Sequence, residues 1–197
     1  MKWVKQSIHY WCPDTKEHKF FGQNVTVAIL DTGISPHPDF KDRILSFRDF
    51  SNTTGSSEED LFSFSHSSPL IDNSGHGTHV AGILAGSGLL SSGAYAGIAP
   101  FCNLIIGKVL DQNGNGSIKN VINGIQWIHD IYTQFHIRII NISVGTRPDL
   151  SIHQKRLLLN AVESLWDLGL VVVVSAGNYG PAPGSVTVPG SSPKVIT

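Results

Sequence analysis

Charge is scarce in this 197-residue chain: 14 Lys and Arg stand against 15 Asp and Glu, for a formal net charge of -1. A balance so near zero provides no electrostatic footprint for nucleic acid or for an anionic membrane surface, and neither is expected as a partner. Cysteine is almost absent too. Cys12 and Cys102 cannot build a disulfide framework, and their separation matches no zinc-ligand spacing, so free thiols in a reducing compartment are expected. No apolar run is long enough to span a membrane; the stretch 168–176 falls well short. Residues 1–20 carry Lys2, Lys5, Asp14, Lys16, Glu17 and Lys19 and no apolar segment, so no secretory signal is expected and the cytoplasm is the expected location. Two glycosylation sequons, at Asn24 and Asn141, fall on strand-like stretches and are expected to be buried. A third, at Asn52, falls in a loop.

What the chain does have is apolar material, 41% of its residues, enough for one domain with a substantial core. Residues 1–20 read as an extension leading into a domain over 21–197. The segment Asn24 to Leu30 is β-branched and ends at Asp31-Thr32-Gly33, as a buried strand delivering an acidic residue into a loop would. Residues 51–75 are rich in Ser and acidic residues and read as a surface excursion, with Phe62 and Phe64 as anchors. His76 to Gly86 reads as a helix of small residues packed close to a sheet. A strand follows within 101–110. Ser117 to Tyr132 repeats Ile118, Val121, Ile122, Ile125, Ile128 and Tyr132 at helical spacing. Arg138 to Ser143 reads as a strand, and Ser151 to Asp167 as a helix with Leu158, Val162 and Leu165 inward and Gly169 as its stop. Leu170 to Ser175 is the next buried strand, and the end offers two short strands around a Pro-Gly turn. Strands alternating with crossover helices predict an α/β fold of three layers, a mostly parallel central sheet with helices on both faces.

In such a sheet, reactive groups belong at the carboxyl ends of strands and at helix starts. Asp31, Asn178 and His76 hold such places. An acid, an imidazole and an amide donor on one edge are parts of an acyl-transfer site: the carboxylate orients the imidazole, the imidazole takes a nucleophile's proton, and the amide supports an oxyanion. Other readings are weaker. An aspartic protease needs two paired carboxylates, and no second DTG or DSG follows. His76 and His79 lack the adjacent glutamate and the further ligands of a zinc site, and His79 reads as a packed second histidine. The run from Asp111 to Gly116 mimics the start of an EF-hand but has Ile122 where the bidentate glutamate belongs, so it reads as a turn with Asn115 or Ser117 as helix cap.

The segments VAILDTGI, HPDF, NSGHGTHVAG, GIAP, NISVG and VVSAGN, in that order, resemble the subtilisin-like serine proteases from about Phe21 to Thr197. The Asp, His, Ser chain order is a property of that family and is not read from spacing. The resemblance implies that Asp31 is the triad acid, His76 rather than His79 the general base, and Asn178 the oxyanion donor. It implies that Ser143, Val144 and Gly145 border the primary specificity pocket, with Ala176 and Gly177 in its wall. Lys108, Val109, Leu110 and Asp111 resemble the facing strand, so that a peptide or protein substrate would lie extended between the two. The family's nucleophile sits in a GTSMA-like segment that is missing from this sequence, and Ser143 and Ser175 belong to motifs with other roles. The expectation is therefore an endopeptidase whose amino-terminal part is seen here, its carboxyl-terminal portion absent, inactive alone. The start at Met1 close to the core suggests no long propeptide. The missing segment, or self-association, is an expected partner. The competing expectation is a non-catalytic module for extended peptides, or one half of a two-chain assembly. No cofactor is expected, except that the resemblance allows calcium at Asp39, where an exposed carboxylate or local cap is preferred.

Overall fold

The computed structural model describes residues 2–8, 10, 20–51, 69–146 and 149–197. Cys12, Asn52, Phe62 and Phe64 lie outside the described residues. The elements run α1 (Lys2–Ser7), β1 (Thr26–Asp31), β2 (Ile44–Asp49), α2 (His76–Ala85), β3 (Asn103–Lys108), α3 (Ile118–Ile131), β4 (Ile137–Ile142), α4 (Ile152–Asp167) and β5 (Val171–Val174). The five strands form one sheet in the order β2-β3-β1-β4-β5, and every pairing is parallel.

β1 is the central strand and is buried along its whole length. Its side chains alternate between two apolar layers, as the two-residue period of a strand requires. Val27 and Ile29 join Leu104, Ile106 and the small-residue face of α2, Ala81 and Ala85. Ala28 and Leu30 join Ile105 and the buried faces of α3 and α4. The expected three-layer α/β arrangement is thus the one that forms. On the α2 side the sheet is covered unevenly: Ile139, Asn141 and Val173 are only half-buried and Val171 is exposed.

The helices follow their sequence signals closely. Ser117 caps α3 by accepting from the Asn120 N–H, and Ser151 caps α4 in a reciprocal capping box with Gln154. α4 ends at Gly169, whose N–H donates to the Trp166 carbonyl while that of Leu170 reaches Leu165. Leu158, Val162 and Leu165 are the buried stripe of α4, as expected. The face of α3 is rotated from the expected one: Val121, Ile125 and Ile128 are buried beside Gly124, Trp127 and Ile131, while Ile118, Ile122 and Tyr132 are half-buried.

Four expectations need correction. β2 was not expected; all six of its residues are half-buried, so an edge strand with Ser46 and Arg48 in it presents no apolar run. Two strands therefore precede α2. The carboxyl end makes no pair of strands but a single bridge between Val173 and Ile196, with Pro189 and Pro193 removing the N–H groups a ladder would need. Asn24 is exposed, with φ at 61°, because it turns the chain into β1, and Asn141 is half-buried. His79 is exposed on α2 rather than packed. Cys102 is fully buried, and burial pushes its thiol up to about 11. In the amino-terminal extension, the Tyr10 hydroxyl donates to the Ile98 carbonyl at 2.7 Å.

Candidate active site

Asp31 closes β1, and His76 opens α2 one layer above it. Asp31 is completely buried, and its Oδ1 lies 2.7 Å from Nδ1 of His76. The same oxygen accepts the Thr32 N–H at 2.7 Å. A carboxylate oxygen only accepts, so Nδ1 of His76 carries a proton in this contact, and in the neutral imidazole Nε2 is the acceptor. The His76 side chain is 55% exposed and lines the cleft described below.

The approach of β1 to α2 depends on Gly77. A Cβ there would lie 2.2 Å from the Gly33 carbonyl oxygen and 3.2 Å from Cβ of Asp31. Any side chain at this position would push the helix, and His76 with it, off the acidic loop. The residue that caps α2 is Gly75, which has no side chain to offer. The helix N–H groups are satisfied from elsewhere: Gly77 donates to Thr32 Oγ1 at 2.9 Å and Thr78 to Asp72 Oδ2 at 2.8 Å.

A cleft of about 990 Å³ opens beside His76. His76, Leu110, Ser143, Val144, Gly145, Gly177 and Asn178 all line it, so these expected site residues converge. Asp31 stands behind His76 rather than in the cleft, and Ala176 does not line it; its carbonyl accepts the Thr187 N–H at 3.0 Å.

The remainder of the expected facing strand is placed differently. Lys108 is buried, with Nζ donating to the carbonyls of Thr32 and Leu110 at 2.7 Å each, and Val109 is fully buried in the core. Asp111 holds a turn, its Oδ1 accepting the N–H groups of Asn113 and Asn115 at 2.8 and 2.9 Å. The chain then returns, and Gly114, Asn115, Gly116 and Ser117 form that side of the cleft. The turn signal of 111–116 was visible in the sequence; that it carries the following residues along the cleft was not. Tyr179 also lines the cleft and was not anticipated.

Gly177 has φ near 90°, and a Cβ on it would stand 2.4 Å from Thr187 Oγ1. That hydroxyl is buried and has no hydrogen-bond partner among the described residues. Thr187 thus backs the cleft wall from behind, a role that no motif in the sequence announced.

Asp39 acts locally as a cap. Its carboxylate oxygens accept backbone N–H groups, Gly88 at 3.0 Å and Leu90 at 3.4 Å, and so cap the turn at Leu89–Ser91. Donors facing both oxygens suit a carboxylate acting as a cap. The Arg43 guanidinium beside it gathers the carbonyls of Asp39, Ala85 and Cys102.

The sequence model of the Subtilase family matches residues 22–197. The chain belongs to the subtilase family. Among curated relatives, this subtilase chain is 42% identical over 180 residues to "Serine protease AprX" of Bacillus subtilis (strain 168), covering 89% of the chain and 38% of that protein. It is 37% identical over 161 residues to the "Major intracellular serine protease" of the same strain, covering 81% of the chain and 44% of that protein. The chain therefore spans less than half the length of either relative. Among solved structures, "Sphericase" superposes with a TM-score of 0.71 at 29% identity, over 89% of this chain and 53% of that one. The "S41 Psychrophilic Protease" gives a TM-score of 0.69 at 33% identity, over 86% and 50%. The parallel sheet with helices on both faces is thus the subtilisin-like fold.

Proposed function

We infer that the protein containing this chain is a serine endopeptidase in which Asp31 and His76 activate a serine supplied from outside these 197 residues. The observation that carries this reading is the contact of 2.7 Å between buried Asp31 and cleft-facing His76. Binding a peptide does not require a buried carboxylate aimed at an imidazole. Base catalysis does, because the carboxylate selects the tautomer and stabilises the imidazolium that forms.

In this mechanism Nε2 of His76 takes the serine's proton as the hydroxyl oxygen attacks the scissile carbonyl carbon. The oxygen of that carbonyl gains the charge and receives the amide N–H of Asn178. The proton then passes from His76 to the departing amine nitrogen, the peptide bond breaks, and an acyl-enzyme remains. Water repeats the sequence: His76 takes its proton, hydroxide oxygen attacks the ester carbonyl, and the serine leaves with the proton returned to it. Ser143 and Ser175 are among the hydroxyl-bearing residues that line the same cleft, but neither fits the role of nucleophile. Ser143 Oγ accepts from Asn141 Nδ2 at 2.8 Å, and no hydrogen bond joins Ser143 or Ser175 to His76 among the described residues.

The wall at Ser143–Gly145 and the opposite wall at Gly114–Ser117 suit a peptide laid extended between them. The half-covered sheet face over β4 and β5 is where the serine-bearing segment would pack. Cytoplasmic location belongs to the same proposal, supported by a relative whose name calls it intracellular; no described helix is long and apolar enough to cross a membrane. The test is peptide hydrolysis by the full-length protein. Asp31→Asn lowers kcat by about 10⁴-fold and His76→Ala by more, with little change in KM. Hydrolysis that survives both substitutions would overturn the reading.

A further inference from the structure

Asp72 lies in the stretch before α2, outside every motif that carries the family resemblance, and it is 9% exposed. Its carboxylate accepts five hydrogen bonds. Oδ1 takes the Thr32 hydroxyl at 2.9 Å, the Ser74 N–H at 3.1 Å and the Gly75 N–H at 2.9 Å. Oδ2 takes the Thr78 N–H at 2.8 Å and the Thr78 hydroxyl at 2.6 Å. All five donors are uncharged. They hold the carboxyl well below the usual carboxylate range, at about 2, against the opposing effect of burial.

The distribution of these donors is what matters. Ser74, Gly75 and Thr78 bracket His76 on α2, and Thr32 follows Asp31 on the end of β1. Thr32 Oγ1 donates to Asp72 and at the same time accepts the Gly77 N–H. One carboxylate is therefore bonded to the chain on both sides of His76 and to the immediate neighbour of Asp31.

We propose that Asp72 is a positioning residue that sets the distance between the end of β1 and the start of α2, and through it the alignment of the His76 ring on Asp31. This rests on the reading of His76 as general base, and it adds a residue that touches neither substrate nor reacting atoms. Asp72→Asn keeps the shape but turns an NH₂ group toward donors on one side, so the two elements separate or rotate. Thr32→Val is the sharper variant. It cuts both links that the Thr32 hydroxyl makes, the one to Asp72 and the direct one from the Gly77 N–H, and leaves the bonds of Asp72 to Ser74, Gly75 and Thr78 in place.

The test uses the full-length protein and reads three quantities: kcat against KM, the low-field proton resonance of the His76 Nδ1–H, and the melting temperature. Asp72→Asn and Thr32→Val are each expected to lower kcat by about 10- to 100-fold with KM within about twofold, the scale set by sub-ångström to ångström misplacement of a catalytic group. The resonance moves or broadens in both, and Thr32→Ser restores it. A wild-type resonance and kcat in folded Thr32→Val overturns the proposal, whether or not Asp72→Asn folds. So does an Asp72→Asn whose lost activity equals its lost folded fraction. The resonance is read without turnover, so a protein that cleaves nothing refutes the protease reading and still decides the role of Asp72.

Discussion

Thr32 and Gly77 are joined by a hydrogen bond of 2.9 Å that runs alongside the 2.7 Å contact between their neighbours Asp31 and His76. Two consecutive residues at the end of the central strand thus hold two consecutive residues at the start of a helix. The bond from the Gly77 N–H to the Thr32 hydroxyl fixes the height of α2, and the bond between the Asp31 and His76 side chains turns the imidazole. Only a glycine at 77 permits this, since its Cβ position lies against the Gly33 carbonyl.

Gly177 and Thr187 form a second close pair, and their substitutions should couple. Gly177→Ala places a side chain at φ near 90° and against Thr187 Oγ1. It is expected to destabilise the full-length protein by roughly 1–3 kcal/mol in urea denaturation. Thr187→Ala in the same chain should return part of that loss, because the clash is removed while the backbone strain stays. Thr187→Val alone keeps the shape and deletes a buried hydroxyl without a partner among the described residues, so a gain of about 1 kcal/mol is expected. Additive effects of the first pair would mean that the two residues do not touch.

Asp72 makes acid stability a local question. Its folded pKa of about 2 lies below the ordinary 3.8, so its ionised form stabilises the fold. That contribution is complete above the unfolded value and is lost as pH falls from about 4 toward 2. The stability difference between wild type and Asp72→Asn, from urea melts across this range, should be constant at neutral pH and shrink toward pH 2. A difference that persists unchanged at pH 2 contradicts the assignment.

Much of this was legible before the fold. The strands β1 and β5, the helices α3 and α4 and the placing of Asp31, His76 and Asn178 each followed from local patterns of apolar residues, caps and strand ends. Ser117 and Ser151 cap where their hydroxyls and the following periodicity say they should. What escaped was set by contacts distant in sequence. β2 owes its place to pairing with β3 and not to its own mixed composition. Asp72 sits 40 residues from the threonine it grips, in a stretch without periodicity. The cleft wall at Gly114–Ser117 follows from the turn held by Asp111, and no property of Lys108 itself distinguishes a side chain bonded to the Thr32 and Leu110 carbonyls from one on a strand facing substrate.

The carboxylate of Asp39 faces backbone donors, which gives a direct expectation for metal removal. Asp39→Ala should lower the melting temperature by the same amount in excess calcium as in a chelator, because the loss is that of a cap on Gly88 and Leu90. A loss seen only when calcium is present would show that the carboxylate binds the ion after all.

The proposed role of His76, held by Asp31, is to activate a serine from outside this chain. Labelling the native full-length protein with a fluorophosphonate, then mapping the modified peptide, tests it most directly. One labelled serine beyond position 197 is expected, with labelling lost in His76→Ala. A label on Ser143 or Ser175, or labelling undiminished by His76→Ala, would contradict it.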